Sequence, residues 1–221
     1  NVKPTKNKRR DSFNFIGLNY QLLTINEQLI IIMAHNENLG FDSLLIHGGM
    51  GVDPMGSATV PIYQSSTFGF ESADEGAKCF AGESNGFIYT RIGNPTISAL
   101  EKQVAILEGG FGGIATSSGM GAVSSIYMAF LQSGDHIVST DAVYGPSRVI
   151  METYFKRFGV ESTYLNTADL NAVKAAIKPN TKMLYLETPT NPTMALTDIK
   201  AASEIAHQHN LVVVVDNTFC S

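Results

Sequence analysis

The chain has 221 residues, 44% of them apolar and 16% charged, with a formal net charge of −5. That length and apolar share allow one domain, or one and part of another, around a sizeable core, and so little charge excludes a disordered acidic or basic protein. The negative balance gives no footprint for nucleic acid. No stretch approaches the roughly 20 apolar residues of a membrane span. Cys79 and Cys220 lack any Cys-x-x-Cys or Cys/His spacing, so a reduced, cytoplasmic protein is expected rather than a disulfide scaffold.

Residues 1–32 differ from the rest. They are rich in Asn, Lys and Gln, show no clear period, and carry +3, leaving −8 for 33–221. The first methionine is Met33, which is expected to be the natural start, with 1–32 a non-native or flexible extension. The apolar run "LIIIMA" follows this basic segment, but Asn26, Glu27 and Gln28 break the apolar stretch a cleaved leader needs.

From residue 97 the pattern is regular. Thr96 can cap a helix with Leu100, Val104 and Leu107 on one face, ended by Gly109 and Gly110. "GGIATSSGMGAVSSIYMAFL" reads as a short strand, a turn of small residues and a helix. "HIVST" is a strand, "SRVIMETYFKRFG" a helix that starts after Pro146 and stops at Gly159, and "VESTYL" a strand. "TADLNAVKAAIKPN" is a helix with Leu170, Val173 and Ile177 on one face, stopped before Pro179. "KMLYLE", "TDIKAASEIAHQHN" and "LVVVV" complete the series as strand, helix and strand. Alternating strands and helices, with near-continuous apolar strands, imply an α/β fold with a mostly parallel sheet and helices on both faces.

In such sheets ligands bind beyond the carboxyl ends of the strands. That rule selects "SSGMG", "DAVYG", "ETPTNPT" and "DNTF". The small residues of "SSGMG" at a helix start suit a phosphate, with Ser117 or Ser118 adding a hydroxyl; a plain tight turn reads equally well. Gly119, Gly121 and Asp141 also sketch a dinucleotide motif, but Ser124 stands where the third glycine belongs. Asp216 either caps the next turn or holds a cationic ring nitrogen. Tyr144 offers a ring for stacking and Asn191 an amide donor. Phosphate loop, stacking ring, amide and ring-nitrogen carboxylate together are what pyridoxal phosphate (PLP) requires.

The motifs "PIYQSSTFGF", "FIYTRIGNPT", "LEGG", "SSGMGA", "VYGPSR", "ETPTNPTM" and "VVVDNTF" occur in this order over roughly 45–221. In them the chain resembles the Cys/Met-metabolism family of PLP enzymes, nearest its methionine γ-lyase and cystathionine γ-lyase members. The resemblance implies the large domain of a fold-type-I, aspartate-aminotransferase-like enzyme, with 33–96 as an N-terminal arm and dimer-contact segment and 97–221 as part of the PLP domain. It implies a carbon–sulfur lyase acting on sulfur amino acids by γ-elimination, assembled as a dimer of dimers.

Residue by residue, the resemblance gives Tyr89 and Arg91 to the phosphate of a neighbouring subunit's PLP, and Ser118, Gly119 and Met120 to the phosphate of the chain's own. Tyr144 stacks on the ring and assists proton transfer, Asn191 bonds the ring hydroxyl, and Asp216 the pyridine nitrogen, with Thr218 and Glu187 behind. The family's Schiff-base lysine falls beyond Ser221. A truncated, non-catalytic fragment is therefore the rival expectation. Methionine γ-lyase is the leading expectation; Pro146 stands where those enzymes carry a cysteine, which weakens it relative to the alternatives, a cystathionine γ-lyase or a cystathionine γ-synthase or acylhomoserine sulfhydrylase. His47 suits a cap, His207 and His209 do not share a helix face, Cys220 has no activating histidine, and Lys182 and Lys200 are expected in solvent.

Overall fold

The computed structural model describes residues 39–51, 53 and 55–220. Residues 1–32, Met33 and Ser221 lie outside the described residues. The chain forms two compact units that divide between Ile114 and Ala115.

In the first unit, helix α1 (Phe41–His47) ends at Gly48. Helix α2 (Ala73–Ala81) is capped by Ser72, whose hydroxyl accepts from the Glu75 N–H, and stops at left-handed Gly82. Helix α3 (Pro95–Leu107) starts two residues earlier than the sequence suggests: Asn94, not Thr96, is its cap, and Pro95 opens it. The Asn94 side chain accepts from the Thr96 N–H at 2.9 Å. Thr96 is occupied elsewhere, donating to the Pro61 carbonyl at 2.7 Å and accepting from the Tyr63 N–H at 2.9 Å. Helix α1 packs on α3, tied through Gln103, which bonds the Leu44 carbonyl and the Gly49 N–H. Leu100 and Val104 are exposed.

The second unit holds the sheet. The expected short strand at "GGIAT" is irregular backbone instead. Two glycines and one large apolar residue give a strand little to bury, and Ile114 is 90% exposed. Helix α4 (Gly119–Phe130) follows, then strand β1 (His136–Thr140). Helix α5 (Gly145–Ile150) passes into a π-helical turn, Met151–Phe155, and a 3₁₀ turn, Lys156–Phe158, before left-handed Gly159. Strand β2 (Glu161–Leu165), helix α6 (Leu170–Ala176), strand β3 (Thr181–Glu187), helix α7 (Ile199–Gln208) and strand β4 (Val212–Asp216) complete the unit. Asp169 and Asp198 cap α6 and α7 with side-chain bonds to first-turn N–H groups.

The four strands are all parallel, in the order β2-β1-β3-β4. Side-chain alternation sends Ile137, Met183 and Tyr185 to one face, against Val123 and Tyr127 of α4 and Met151 and Phe155 after α5. Val138, Leu184 and Leu186 go to the other, against Val173 of α6 and Ala202 and Ala206 of α7. Central β1 and β3 are almost wholly buried, whereas β4 is half-buried throughout. The parallel, doubly covered sheet read from the sequence is thus present.

Candidate active site

Three of the sequence-selected loops leave the carboxyl ends of β1, β3 and β4, and α4 brings the fourth to the same end. Ser118 caps α4: its oxygen accepts from the Gly121 N–H at 3.0 Å. A side chain at Gly121 would crowd that cap, since a Cβ there falls 3.3 Å from the Ser118 oxygen. The cap uses one first-turn N–H and leaves those of Gly119 and Met120 outside the intrahelical ladder. Ser118 and Gly119 are exposed, so an anion can reach them. Just inside, Met120 sulfur lies 3.7 Å from the Ser147 hydroxyl of α5.

Tyr144 immediately precedes α5 and is 45% exposed. Its backbone N–H donates to Glu187 Oε2 at 2.5 Å. The other oxygen, Oε1, accepts from the Asn191 N–H at 3.0 Å. One buried carboxylate therefore binds the loops after β1 and β3.

Asp216 pairs in register with Glu187 at the end of β4. Its Oδ1 accepts from the Thr218 hydroxyl at 2.6 Å and the Thr218 N–H at 3.2 Å. Its Oδ2 accepts from the Tyr185 hydroxyl at 3.3 Å. The bland reading, a turn cap, is thus true of Asp216, but it occupies mainly one oxygen. Tyr185 is 1% exposed and packs on Tyr127, ring centroids 5.5 Å apart. Burial, then the Asp216 charge, push the Tyr185 phenol well above its ordinary range, while a hydrogen bond with Ser147 opposes the rise. Tyr185 is therefore a neutral donor at any physiological pH.

Tyr185 was not read from the sequence as a site residue. Its only signal is alternation: two positions before Glu187, it faces the α4 side, below the strand end. In the first unit, Tyr89 bridges Thr67 in an antiparallel pair, and the Arg91 guanidinium lies 5.4 Å over the Tyr89 ring. Both are exposed at their surface.

Asp141 is exposed and shares an open depression with Asn166 and Thr193. His207, His209, Lys182 and Lys200 are exposed, and no described cluster of His, Cys, Asp or Glu suits a metal ion. Cys79 is buried and Cys220 exposed, both as free thiols. No described helix is long and apolar enough to cross a membrane.

Layered parallel sheet and strand-end donors define a PLP-type α/β domain, and comparison with known proteins makes the family definite. The Cys/Met metabolism PLP-dependent enzyme family matches residues 42–221. An L-methionine gamma-lyase of Porphyromonas gingivalis is 48% identical over 82% of this chain and 46% of its own length. A cystathionine gamma-lyase of Bacillus subtilis is 44% identical over 80% of this chain and 45% of its own length. A solved Campylobacter jejuni structure holding N′-pyridoxyl-lysine-5′-monophosphate superposes with a TM-score of 0.76, at 34% identity, over 81% of this chain and 44% of that one. The chain belongs to the Cys/Met metabolism PLP-dependent enzyme family. It spans less than half the length of these relatives.

The donor set present fits that cofactor: an open helix N-terminus for a phosphate, a half-exposed carboxylate for a ring nitrogen, an exposed aromatic ring and an exposed amide.

Proposed function

We propose that this chain is the cofactor-holding portion of a PLP-dependent carbon–sulfur lyase that cleaves sulfur amino acids at the γ carbon, converting L-methionine and water to methanethiol, 2-oxobutanoate and ammonia. The observation that carries the reading is Asp216, held at a strand end by Thr218 and Tyr185 with its carboxylate only half-buried. Methionine γ-lyase relatives at 48% identity support the choice of substrate.

Bound PLP supplies an electron sink for charge developing beside the substrate amine. Asp216 keeps a proton on the pyridine nitrogen through a charge-assisted hydrogen bond of roughly 1.5–3 kcal/mol. Thr218 and Tyr185 keep the carboxylate aimed. Ser118 and the Gly119 and Met120 N–H groups hold the phosphate, where the α4 dipole favours an anion. The exposed Tyr144 ring would stack on the pyridine, and its hydroxyl would supply a proton to the departing sulfur. The Asn191 amide donates to the ring oxygen. Tyr89 and Arg91 are assigned to the phosphate of a second copy's cofactor in a dimer of dimers; a guanidinium suits that anion. Covalent attachment is assigned to a lysine in the part of the family's length that this chain does not span, a choice supported by its covering 46% of the methionine γ-lyase relative. The purified 221-residue chain is then inactive and shows no absorbance of lysine-bound PLP.

A second reading, cystathionine γ-lyase, is favoured by Pro146 after Tyr144 and Gly145 and by a relative of that activity at 44% identity. The deciding experiment supplies the intact protein with PLP and compares L-methionine, cystathionine and an acylhomoserine with a thiol. Methanethiol release as the fastest reaction supports the first reading; faster cysteine release supports the second. Condensation of the acylhomoserine, with no elimination, sinks both.

A further inference from the structure

Glu187 is 3% exposed at the end of β3, beside Asp216. The two carboxylates are differently engaged. Asp216 is met chiefly by hydroxyls and stays open on one side. Glu187 is met by two backbone N–H groups, Tyr144 at 2.5 Å and Asn191 at 3.0 Å. Tyr144 is 43 positions away in the chain, so this contact joins loops that sequence proximity does not.

A buried carboxylate accepts at both oxygens and donates nothing. Each oxygen here takes one amide, and the acceptor's charge makes both bonds stronger than neutral ones. We infer that Glu187 is a positioning residue: its two oxygens fix the backbones of Tyr144 and Asn191, so that the stacking ring and the ring-oxygen donor stand in place before the cofactor arrives. The inference rests on the roles proposed above for Tyr144 and Asn191. It makes Glu187 act through those residues rather than on the cofactor.

Glutamine is the informative replacement. It keeps the shape but offers one acceptor oxygen, so one backbone N–H faces an NH₂ donor instead. Glu187→Gln therefore breaks one arm of the clamp without opening a cavity, and Glu187→Asp keeps the charge but not the reach to both loops.

The test uses the intact protein. In apo wild type, amide hydrogen exchange followed by mass spectrometry is expected to protect Tyr144 and Asn191 as well as β1 and β3 themselves. In Glu187→Gln, protection at one of those two amides is lost while the other amide and the strands keep theirs. Binding of PLP, read from the visible circular dichroism of the bound cofactor, weakens about tenfold, and its band shrinks. Glu187→Asp recovers part of both. Added to the double variant Tyr144→Ala/Asn191→Ala, Glu187→Gln lowers PLP affinity by less than about twofold more, because its route is already gone. Unprotected Tyr144 and Asn191 amides in wild type overturn the inference even where the variant does not fold. So does full additivity with the double variant. If wild type binds no PLP, the cofactor reading falls, and the exchange result alone decides the clamp.

Discussion

The sheet buries polar side chains at both ends, and the two ends are built differently. At the amino end, His136 is wholly buried, and its two ring nitrogens bond the hydroxyls of Thr181 and Thr163, each at 2.8 Å. Asp135, also buried, accepts from the Gln132 N–H at 2.9 Å. Every arm of that network ends on protein. At the carboxyl end, Glu187 is closed in the same way, but Asp216 keeps a half-exposed carboxylate, and Tyr144, Asn191 and Ser118 face outward. A closed polar network specifies the fold; an open one has donors and acceptors left for a ligand. The parallel sheet supplies both, and only the carboxyl end carries loops that converge.

The largest expected effect breaks the open end. In the intact protein, Asp216→Ala is expected to lower turnover roughly a hundredfold or more, while the melting temperature of the apo form moves by only a few degrees. Soluble protein with unchanged turnover refutes the assignment of Asp216.

The next prediction breaks the closed end. His136→Leu removes both ring nitrogens and is expected to lower stability by about 1–3 kcal/mol, measured by denaturant unfolding, with PLP affinity unaltered. The same residue gives stability a pH dependence. Burial, followed by the nearby Lys178 charge, holds the His136 pKa below its ordinary value. As pH falls through about 6.5, the unfolded chain takes up the proton before the fold does. The contribution is therefore full above that pH and is lost on the way down to the folded pKa. Unfolding midpoints between pH 8 and 5 should decline in wild type and decline less in His136→Leu. A parallel pair of curves removes His136 from the explanation.

Tyr185→Phe sits between the two ends. It deletes the hydroxyl on Asp216 and keeps the ring on Tyr127. PLP affinity is expected to fall about fivefold, the loss of one modest hydrogen bond, with little change in melting temperature. Equal affinities would reduce Tyr185 to core packing.

The smallest effect lies away from both ends. Arg148 and Glu152 form an i,i+4 pair at 2.8 Å with about two-fifths of each side chain exposed. Glu152→Ala is expected to change stability by no more than about 0.5 kcal/mol, and less in high salt. A larger loss would mean that Arg148, stacked 4.2 Å from the Tyr164 ring centroid, depends on the pair for that packing.

Much of this architecture was legible because local signals agreed. "HIVST" and "KMLYLE" are apolar enough to be central strands, and Gly159, Pro179, Asp169 and Asp198 punctuate the helices between them. The cap of α3 was misplaced because Asn94 and Thr96 are both good cap residues, and the competing bonds from Thr96 to the 61–63 segment are tertiary. "GGIAT" failed as a strand because a strand exists by its partners, which a single segment does not display. At the site, the positions of Tyr144, Asn191 and Asp216 at strand ends were legible as a pattern. What orients them was not. The bond from the Tyr144 N–H to Glu187 spans 43 positions, and Tyr185 reaches Asp216 only because β3 and β4 are neighbours.

The wide turn after α5 has a consequence for anyone who would edit this chain. Ser147, Met151 and Phe155 are all buried, spaced at intervals of four. On a uniform α-helix, eight residues overshoot two full turns by about 80°, which would swing Phe155 off the face that Ser147 defines. The i→i+5 ladder of Met151–Phe155 absorbs that drift and sets Phe155 edge-on to Tyr127, centroids 5.4 Å apart. Deleting one residue there would restore ideal pitch and rotate the anchor away. Helix α5, which Tyr144 precedes, would then be free to roll about its own axis, and a one-residue edit two turns or more from the candidate site would be felt as a misaimed ring.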